Sequence, residues 1–214
     1  MMYQAERHQV AMACRKLMAE KLVVGTAGNV SIRLGDHIVI SPSGFDYAIM
    51  EAEHVVVTDM AGVTIEGDYK PSSELQLHIS VYATSDHKAI AHTHAISSTA
   101  LSTVVEEVPA SHYYSALFGG NVRVAAYATY GSVELAHNVK VAMQDRSAAL
   151  MSNHGAVSAG ATLTKAMDQL AYLEYICEVQ LKAMATGAPI KVLADEEISK
   201  VVGMLSGYGQ APKV

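Results

Sequence analysis

The chain has 214 residues, half of them hydrophobic and 17% charged, with a formal net charge of −6 at pH 7. This composition is typical of a folded globular protein with a sizeable core, and it excludes a disordered chain. An acidic chain without a basic run is a poor candidate for nucleic-acid binding, so any phosphate ligand must be small and held by local donors. We find no apolar stretch that is long and pure enough to cross a bilayer.

The N-terminus and the cysteines favour the cytoplasm. The first eight residues are polar and carry an acid at Glu6, which does not resemble a signal peptide. Cys14 and Cys177 lie far apart in segments with helical patterns, and we expect both to be reduced thiols of the core. Because no linker-like or low-complexity segment interrupts the sequence, we expect one domain over residues 1–214.

The hydrophobic pattern predicts groups of strands that alternate with helices. Apolar residues recur at helical spacing over residues 3–23, and two hairpins follow, with strands over 30–34 and 37–40, then 55–58 and 63–65. Further strands are predicted over 88–95, 122–127, 147–151 and 156–159, and further helices over 74–83, from about 97, and over 132–143, 163–185 and 195–205. Strands joined by tight turns and covered by helices indicate a single α/β domain with a central, largely antiparallel sheet.

Three histidines are the most informative residues. His92 and His94 flank Thr93 on a predicted strand, where residues two apart point to the same side. Such a pair can converge on a cation, although an isolated pair of this spacing is also explained by buried histidines with backbone partners. His154 lies at a turn between two short strands and supplies a third imidazole. Three histidines with an open position are the donor set of a catalytic zinc, but the spacing alone leaves their convergence open.

Glu74 is a fourth candidate for this site. It follows Ser73 at the predicted start of a helix, where Ser73 and Gln76 fit a capping box. The simpler interpretation is an acid that is stabilised by the helix dipole. Beside a cation, the same carboxylate can act as a ligand or as a general base.

Short loops rich in glycine and serine are candidates for holding a phosphate. They contain Gly28 and Asn29, Ser43 and Gly44, and Ser72 and Ser73. Each offers backbone N–H groups and small donors, and the serine pair would also lie at a helix N-terminus. Taken singly, each loop is an ordinary turn or cap, and none matches a P-loop or a dinucleotide fingerprint.

Five motifs in a fixed order resemble those of the class II aldolase/adducin family, with the L-fuculose-phosphate aldolase branch the most similar. They are Thr26-Ala27-Gly28-Asn29-Val30-Ser31, Ser41-Pro42-Ser43-Gly44, Pro71-Ser72-Ser73-Glu74, His92-Thr93-His94-Ala95 and Asn153-His154-Gly155. Any one motif is weak, but five in this order identify the chain as a member over nearly its whole length. The resemblance implies a single α/β domain and a carbon–carbon lyase that cleaves a ketose 1-phosphate to dihydroxyacetone phosphate and a small aldehyde. L-Fuculose 1-phosphate and a 5-deoxypentulose 1-phosphate are the implied substrates.

The resemblance also implies the residues of the site. It assigns one zinc ion to His92, His94 and His154, with Glu74 as a further ligand in the empty enzyme and as the acid/base in turnover. The same donors accept manganese or cobalt. It assigns the phosphate to a pocket of Gly28, Asn29, Ser43, Gly44, Ser72 and Ser73.

A cyclic homotetramer with its site between neighbouring subunits is implied as well. Tyr113 matches a tyrosine that reaches the neighbour's site and handles the proton on the leaving hydroxyl. Tyr208 matches a mobile C-terminal tyrosine with a supporting role.

Two departures and three alternatives accompany the resemblance. Thr93 stands where the family's aldolases commonly have Asn, and Tyr130 stands where the L-fuculose-phosphate branch has a phenylalanine beside the aldehyde. An L-ribulose-5-phosphate 4-epimerase is a close alternative, although the epimerases carry Asp at the position of Glu74. A methylthioribulose-phosphate aldolase or dehydratase is another. A non-catalytic adducin-like binding module is remote, because such heads typically lack the three histidines.

Overall fold

A nine-stranded sheet forms the centre of the protein in this computed structural model, which describes residues 1–205. Its strands are β1 (Asn29–Leu34), β2 (His37–Ile40), β3 (Val56–Asp59), β4 (Thr64–Glu66), β5 (Ala89–Thr93), β6 (Glu107–Val108), β7 (Val122–Ala125), β8 (Ala148–Met151) and β9 (Gly155–Gly160). They lie in the order β4-β3-β2-β1-β5-β9-β8-β7-β6, and β7 and β8 are the parallel pair in an otherwise antiparallel arrangement. The predicted single α/β domain with a largely antiparallel sheet is confirmed.

Helices cover both faces of this sheet. They are α1 (Gln4–Ala19), α2 (Leu75–Tyr82), α3 (Ile96–Leu101), α4 (Val133–Ala142), α5 (Leu163–Met184) and α6 (Asp195–Leu205). One apolar cluster joins α1 and the first half of α5 to the sheet, and a second joins α2 and α4 to it. Among residues 1–205, no helix has the length and apolar character needed to cross a membrane.

Strand β5 lies in the middle of the sheet between β1 and β9, and all of its residues are buried. Its side chains alternate between the two faces: Ala89 and Ala91 pack in the cluster with α1, and Ile90 packs in the cluster with α2. This period of two places His92 on the same side as Ile90, facing α2. A polar residue at the end of a buried strand is thereby directed towards the helix that follows Glu74.

The structure corrects several local predictions. Helix α1 ends at Ala19 rather than at residue 23, because Lys21 adopts a left-handed backbone with φ 58°. The predicted Ser73 cap is wrong, since Glu74 itself is the N-cap of α2 and the Ser72 hydroxyl accepts the Glu74 N–H. The two-residue strand β6 was not predicted. Cys14 and Cys177 both lie in the core, as predicted, and neither is in a disulfide.

Candidate metal centre

Four side chains from separate parts of the fold converge at one end of β5. His92 belongs to β5, and His94 is the first residue after that strand. His154 lies in the turn between β8 and β9, and Glu74 is the N-cap of α2. One ligand atom from each of the four lies within 4.8 Å of the other three. The three histidines that the sequence singled out are therefore brought together with the predicted fourth candidate.

The pairing of β5 with β9 explains this convergence. Thr93 pairs with Ala156, so the residues that follow β5 meet the residues that precede β9. The turn approaches β5 so closely that a Cβ on Gly155 would collide with the Thr93 carbonyl oxygen. Asn153 adopts a left-handed backbone with φ 56°, which turns the chain just before His154. Gly155, which allows the close approach, and Asn153, which tolerates a left-handed backbone, thus bring His154 to the other two imidazoles.

The distances within the cluster are short. His92 Nε2 lies 3.1 Å from Glu74 Oε2 and 3.0 Å from His94 Nε2. His154 Nε2 lies 3.5 Å from Glu74 Oε1. The His92 ring is oriented by its Nδ1, which donates to the Ala156 carbonyl oxygen at 2.9 Å. This bond turns Nε2 towards the cluster, as it does in histidines that ligate metals.

Burial and neighbouring charges shift the pKa values of the four side chains in different directions. Burial lowers the pKa of His94 and His154 to about 4, and His92 adds to the effect in both. Burial opposes the charged form of His92 too, but the Glu74 carboxylate outweighs it and raises that pKa. Burial alone would raise the pKa of Glu74, but His92 and His154 outweigh it and hold that pKa well below its usual range. At neutral pH the cluster therefore holds an ionised carboxylate beside two imidazoles with free lone pairs.

This donor set fits a divalent cation. Three imidazoles and a carboxylate are a common set of zinc ligands. Glu74 Oε1 is buried and accepts no hydrogen bond from residues 1–205, which leaves an anionic oxygen open to a positive partner. The facing Nε2 atoms of His92 and His94 would repel each other through their lone pairs unless a proton or a cation lay between them. Each of these features is what a cation site requires.

A cavity of about 290 Å³ opens beside the cluster. Glu74, His94 and His154 form part of its wall, with Tyr127 and Tyr130 among the other lining residues. All six residues predicted to hold a phosphate also line it: Gly28, Asn29, Ser43, Gly44, Ser72 and Ser73. None of the described lining residues is Lys or Arg, so an anion here would meet neutral donors.

Two glycines shape the loops of the cavity. Gly28 and Gly44 both have left-handed backbones, with φ 78° and 65°. A Cβ on Gly28 would lie 2.8 Å from the His92 carbonyl oxygen, so this loop packs directly on the ligand-bearing strand. The side-chain amide of Asn29 is already bonded at both ends, to Glu74 and to His78.

Tyr113 lies apart from this cavity in its own chain. It begins a short 3₁₀ turn, Tyr113–Phe118, and its ring stacks on His112 with the centroids 4.7 Å apart. It is 45% exposed and is not one of the described residues that line the cavity. Tyr208 lies outside the described residues.

Two residues around the site were missed from the sequence. Tyr127 lines the cavity because β7 ends at Ala125 rather than continuing to residue 127 as predicted. His78 is completely buried and bonds to Asn29. Its position four residues after Glu74 on one helix was the available signal.

The chain is similar to known proteins over most of its length. Residues 8–181 match the family described as class II aldolase and adducin N-terminal domain. The chain is 37% identical to an L-fuculose phosphate aldolase of Escherichia coli O6:H1 over 94% of both chains. It is 34% identical to a 5-deoxy-D-ribulose 1-phosphate aldolase of Bacillus thuringiensis serovar kurstaki, over 98% of this chain and 100% of the relative. A solved L-fuculose 1-phosphate aldolase superposes with a TM-score of 0.91 at 36% identity, over 94% of this chain and 96% of that one.

Proposed function

Because the chain belongs to the class II aldolase and adducin N-terminal domain family, we propose that it cleaves a ketose 1-phosphate to dihydroxyacetone phosphate and a small aldehyde. It is a class II aldolase, a carbon–carbon lyase. The single observation that carries the proposed reaction is the cluster of Glu74 and three histidines in the wall of a polar cavity. The substrates proposed are L-fuculose 1-phosphate and 5-deoxyribulose 1-phosphate, the compounds in the names of the two relatives.

We propose that His92, His94 and His154 hold one zinc ion, with Glu74 as a fourth ligand before substrate enters. The converging Nε2 atoms and the open Glu74 Oε1 support this assignment. The same donor set would also accept manganese or cobalt. When bound, the cation supplies a Lewis acid that stabilises negative charge on the substrate oxygens next to the cleaved bond.

Glu74 is the proposed acid and base. Its Oε2 is held by Asn29 Nδ2 at 2.9 Å, whereas its Oε1 accepts no hydrogen bond from the described residues. Oε1 is thus the atom that can carry a proton to the substrate carbon that loses the aldehyde. A carboxylate suits this task because, once it has given its proton to carbon, it can take up another from solvent before the next turnover.

The phosphate is proposed to lie in the loops that contain Gly28, Ser43, Gly44, Ser72 and Ser73, beside the backbone of Asn29. The Ser72 hydroxyl oxygen accepts the Glu74 N–H at 3.2 Å, so its own hydrogen can be donated to a ligand. Anchoring the phosphate end orients the carbon chain towards Glu74, and orientation of this kind contributes a large share of catalysis.

Tyr113 is proposed to act in the site of a neighbouring subunit, within a homotetramer. Its exposure, and its place outside the cavity of its own chain, support a role that needs a second copy. There it would take the proton from the hydroxyl that becomes the aldehyde oxygen. The proposed setting is the cytoplasm, in keeping with the two free thiols.

A coupled assay for dihydroxyacetone phosphate tests the reaction. Metal-loaded protein is given L-fuculose 1-phosphate, 5-deoxyribulose 1-phosphate, methylthioribulose 1-phosphate and L-ribulose 5-phosphate in separate reactions. Release from a 1-phosphate is the expected result, and the ratio of kcat/KM values identifies the preferred substrate. Consumption of L-ribulose 5-phosphate without release would indicate an epimerase, and loss of water from the methylthio compound would indicate a dehydratase. Stoichiometric metal with no reaction on any of the four would contradict the proposal.

A further inference from the structure

A chain of hydrogen bonds runs from Glu74 into the core through four buried side chains. Asn29 Nδ2 lies 2.9 Å from Glu74 Oε2, and Asn29 Oδ1 lies 2.5 Å from His78 Nε2. On the other side of the ring, His78 Nδ1 lies 2.6 Å from Ser31 Oγ. Ser31 Oγ in turn lies 2.7 Å from the Tyr82 hydroxyl. All five residues are at least 95% buried.

The chain of bonds follows from the periods of one strand and one helix. Asn29 and Ser31 are two apart on β1 and therefore point to the same face of the sheet. Glu74, His78 and Tyr82 are four apart along α2 and therefore lie on one side of that helix. Because α2 packs on this face, the two rows of polar side chains interleave.

With a neutral His78, these bonds fix the direction of each hydrogen from Glu74 to Ser31. The ionised Glu74 carboxylate can only accept, so Asn29 must turn its N–H donor towards it and its Oδ1 towards His78. His78 then donates from Nε2, and its Nδ1 accepts from the Ser31 hydroxyl. Burial lowers the pKa of His78 to about 3, so the ring is neutral and has one N–H to give.

We propose that His78 is a positioning residue, which fixes the Asn29 amide with its donor towards Glu74 and so holds the carboxylate for proton transfer. This inference rests on the proposed aldolase function, in which Glu74 carries the proton. The opposite tautomer of His78 would accept at Nε2 and require the Asn29 amide to turn over. Asn29 Oδ1 would then face Glu74 Oε2, two acceptors in contact with no hydrogen between them.

The tautomer is measured first, because it does not depend on activity. Protein labelled with ¹⁵N-histidine is examined by NMR between pH 6 and 8, and the His78 signals are assigned from their loss in His78→Gln. The expected result is a neutral ring with its proton on Nε2 and with Nδ1 accepting a hydrogen bond. A proton on Nδ1, or a charged ring at pH 7, would overturn the proposal.

The effect of His78 on proton transfer by Glu74 is measured with dihydroxyacetone phosphate as the only reactant. Glu74 should exchange a carbon-bound hydrogen of dihydroxyacetone phosphate with deuterium from the solvent without any aldehyde, and NMR follows this exchange. His78→Leu keeps an apolar side chain in the space but leaves Asn29 Oδ1 without its donor. We expect its exchange rate and kcat to fall roughly 10- to 100-fold, the usual range when the partner of a site ligand is lost. His78→Gln can donate to Asn29 and accept from Ser31, and it should recover a large part of both rates.

Stability controls separate positioning from folding. His37→Leu is the control: it removes an imidazole outside the site, whose Nδ1 lies 2.9 Å from the Tyr3 hydroxyl, and it should leave exchange unchanged. All rates are scaled to the folded fraction and to the bound metal. The proposal is overturned if the scaled exchange rate and kcat of His78→Leu equal those of the unmodified protein. It is also overturned if His78→Gln, at equal stability, has rates no higher than those of His78→Leu. No exchange by the unmodified, metal-loaded protein would instead count against the proposed aldolase function, and the tautomer would still be readable.

Discussion

At the floor of the cavity, Glu74 and His92 are 5% and 0% exposed, whereas at its rim Tyr127 and Tyr130 are 63% and 70% exposed. The floor residues are held by partners on neighbouring strands and helices, such as Asn29 and the Ala156 carbonyl oxygen. The rim tyrosines extend from the chain after β7. The fold of one chain therefore fixes the floor, while the exposed rim is where the proposed neighbouring subunit would contact the site.

Replacing Glu74 by Gln should have the largest effect of all. The amide keeps the size of the side chain but cannot carry the proton, so kcat should fall roughly 10²- to 10⁴-fold, the usual contribution of general acid–base catalysis. Metal content should stay near normal because three imidazoles remain. Glu178→Gln, on an exposed acid that pairs with Lys182, is the control. Unchanged turnover would refute the role of Glu74.

Tyr113→Phe tests whether the rim is completed by a second copy. We expect kcat to fall about 10²-fold, at the lower end of the same range, with little change in metal content. Co-expression of Tyr113→Phe with Glu74→Gln should then recover activity above that of either variant alone, because some sites combine an intact tyrosine with an intact glutamate. A site shared between subunits would be contradicted if assemblies shown to contain both variants were no more active than either variant alone.

Alanine substitutions at Gly28 and Gly44 compare a loop packed on the floor of the cavity with a more open loop of the same cavity. In Gly28→Ala the new methyl would lie 2.6 Å from Val23 Cγ1 and 2.8 Å from the His92 carbonyl oxygen, whereas in Gly44→Ala it meets no described atom within 4 Å. Both have positive φ, so Gly44→Ala should cost about 1–2 kcal/mol of unfolding free energy. Gly28→Ala should cost roughly 1–3 kcal/mol more because of the overlap.

Denaturant unfolding measures both changes, and metal titration adds a second test. Gly28→Ala should also weaken cation binding, since it presses on the strand that carries His92. Equal losses of stability in the two variants would show that the loop of Gly28 is less tightly tied to the site than its contacts indicate.

Tyr130→Phe should have the smallest effect. Tyr130 lines the rim, and its hydroxyl can meet a hydroxyl on the aldehyde part of the substrate. Losing one such bond changes a free energy by roughly 0.5–1.5 kcal/mol, or about two- to tenfold in kcat/KM. The ratio of kcat/KM for L-fuculose 1-phosphate over 5-deoxyribulose 1-phosphate should fall. Tyr69→Phe, at an exposed tyrosine that is not among the described lining residues, is the control. A ratio that rises or stays constant would remove Tyr130 from substrate selection.

Sequence reasoning reached the elements that a local pattern determines. The two hairpins and the helices were visible because turns and hydrophobic periods are local. The spacing of His92 and His94 correctly predicted that the two side chains meet, although β5 ends at Thr93 and His94 lies just after it rather than on the predicted strand. The meeting of these residues with His154 depends on the pairing of β5 with β9, across some sixty residues, which no local pattern encodes. The role of His78 was hidden for the same reason, since its partners Asn29 and Ser31 come from a strand nearly fifty residues earlier.

Some boundaries had no sequence signal to find. Helix α1 ends because Lys21 takes a left-handed backbone, a conformation that lysine does not favour and that the folded surroundings impose. Strand β6 has two residues, too few for any period. Tyr113 shows the limit of a single chain, because the role proposed for it depends on how a second copy of the same chain would dock.

The central place of β5 also has a consequence for the order in which the protein is made. Synthesis from the N-terminus delivers Glu74, His92 and His94 first, while β9 and His154 follow some sixty residues later. A chain released before residue 154 lacks the third imidazole, and one edge of its ligand-bearing strand stays open. Open strand edges pair readily with other chains. The cluster of Glu74 and the three histidines is therefore among the later parts of the molecule to be completed, and a truncated chain is expected to aggregate before this cluster can form.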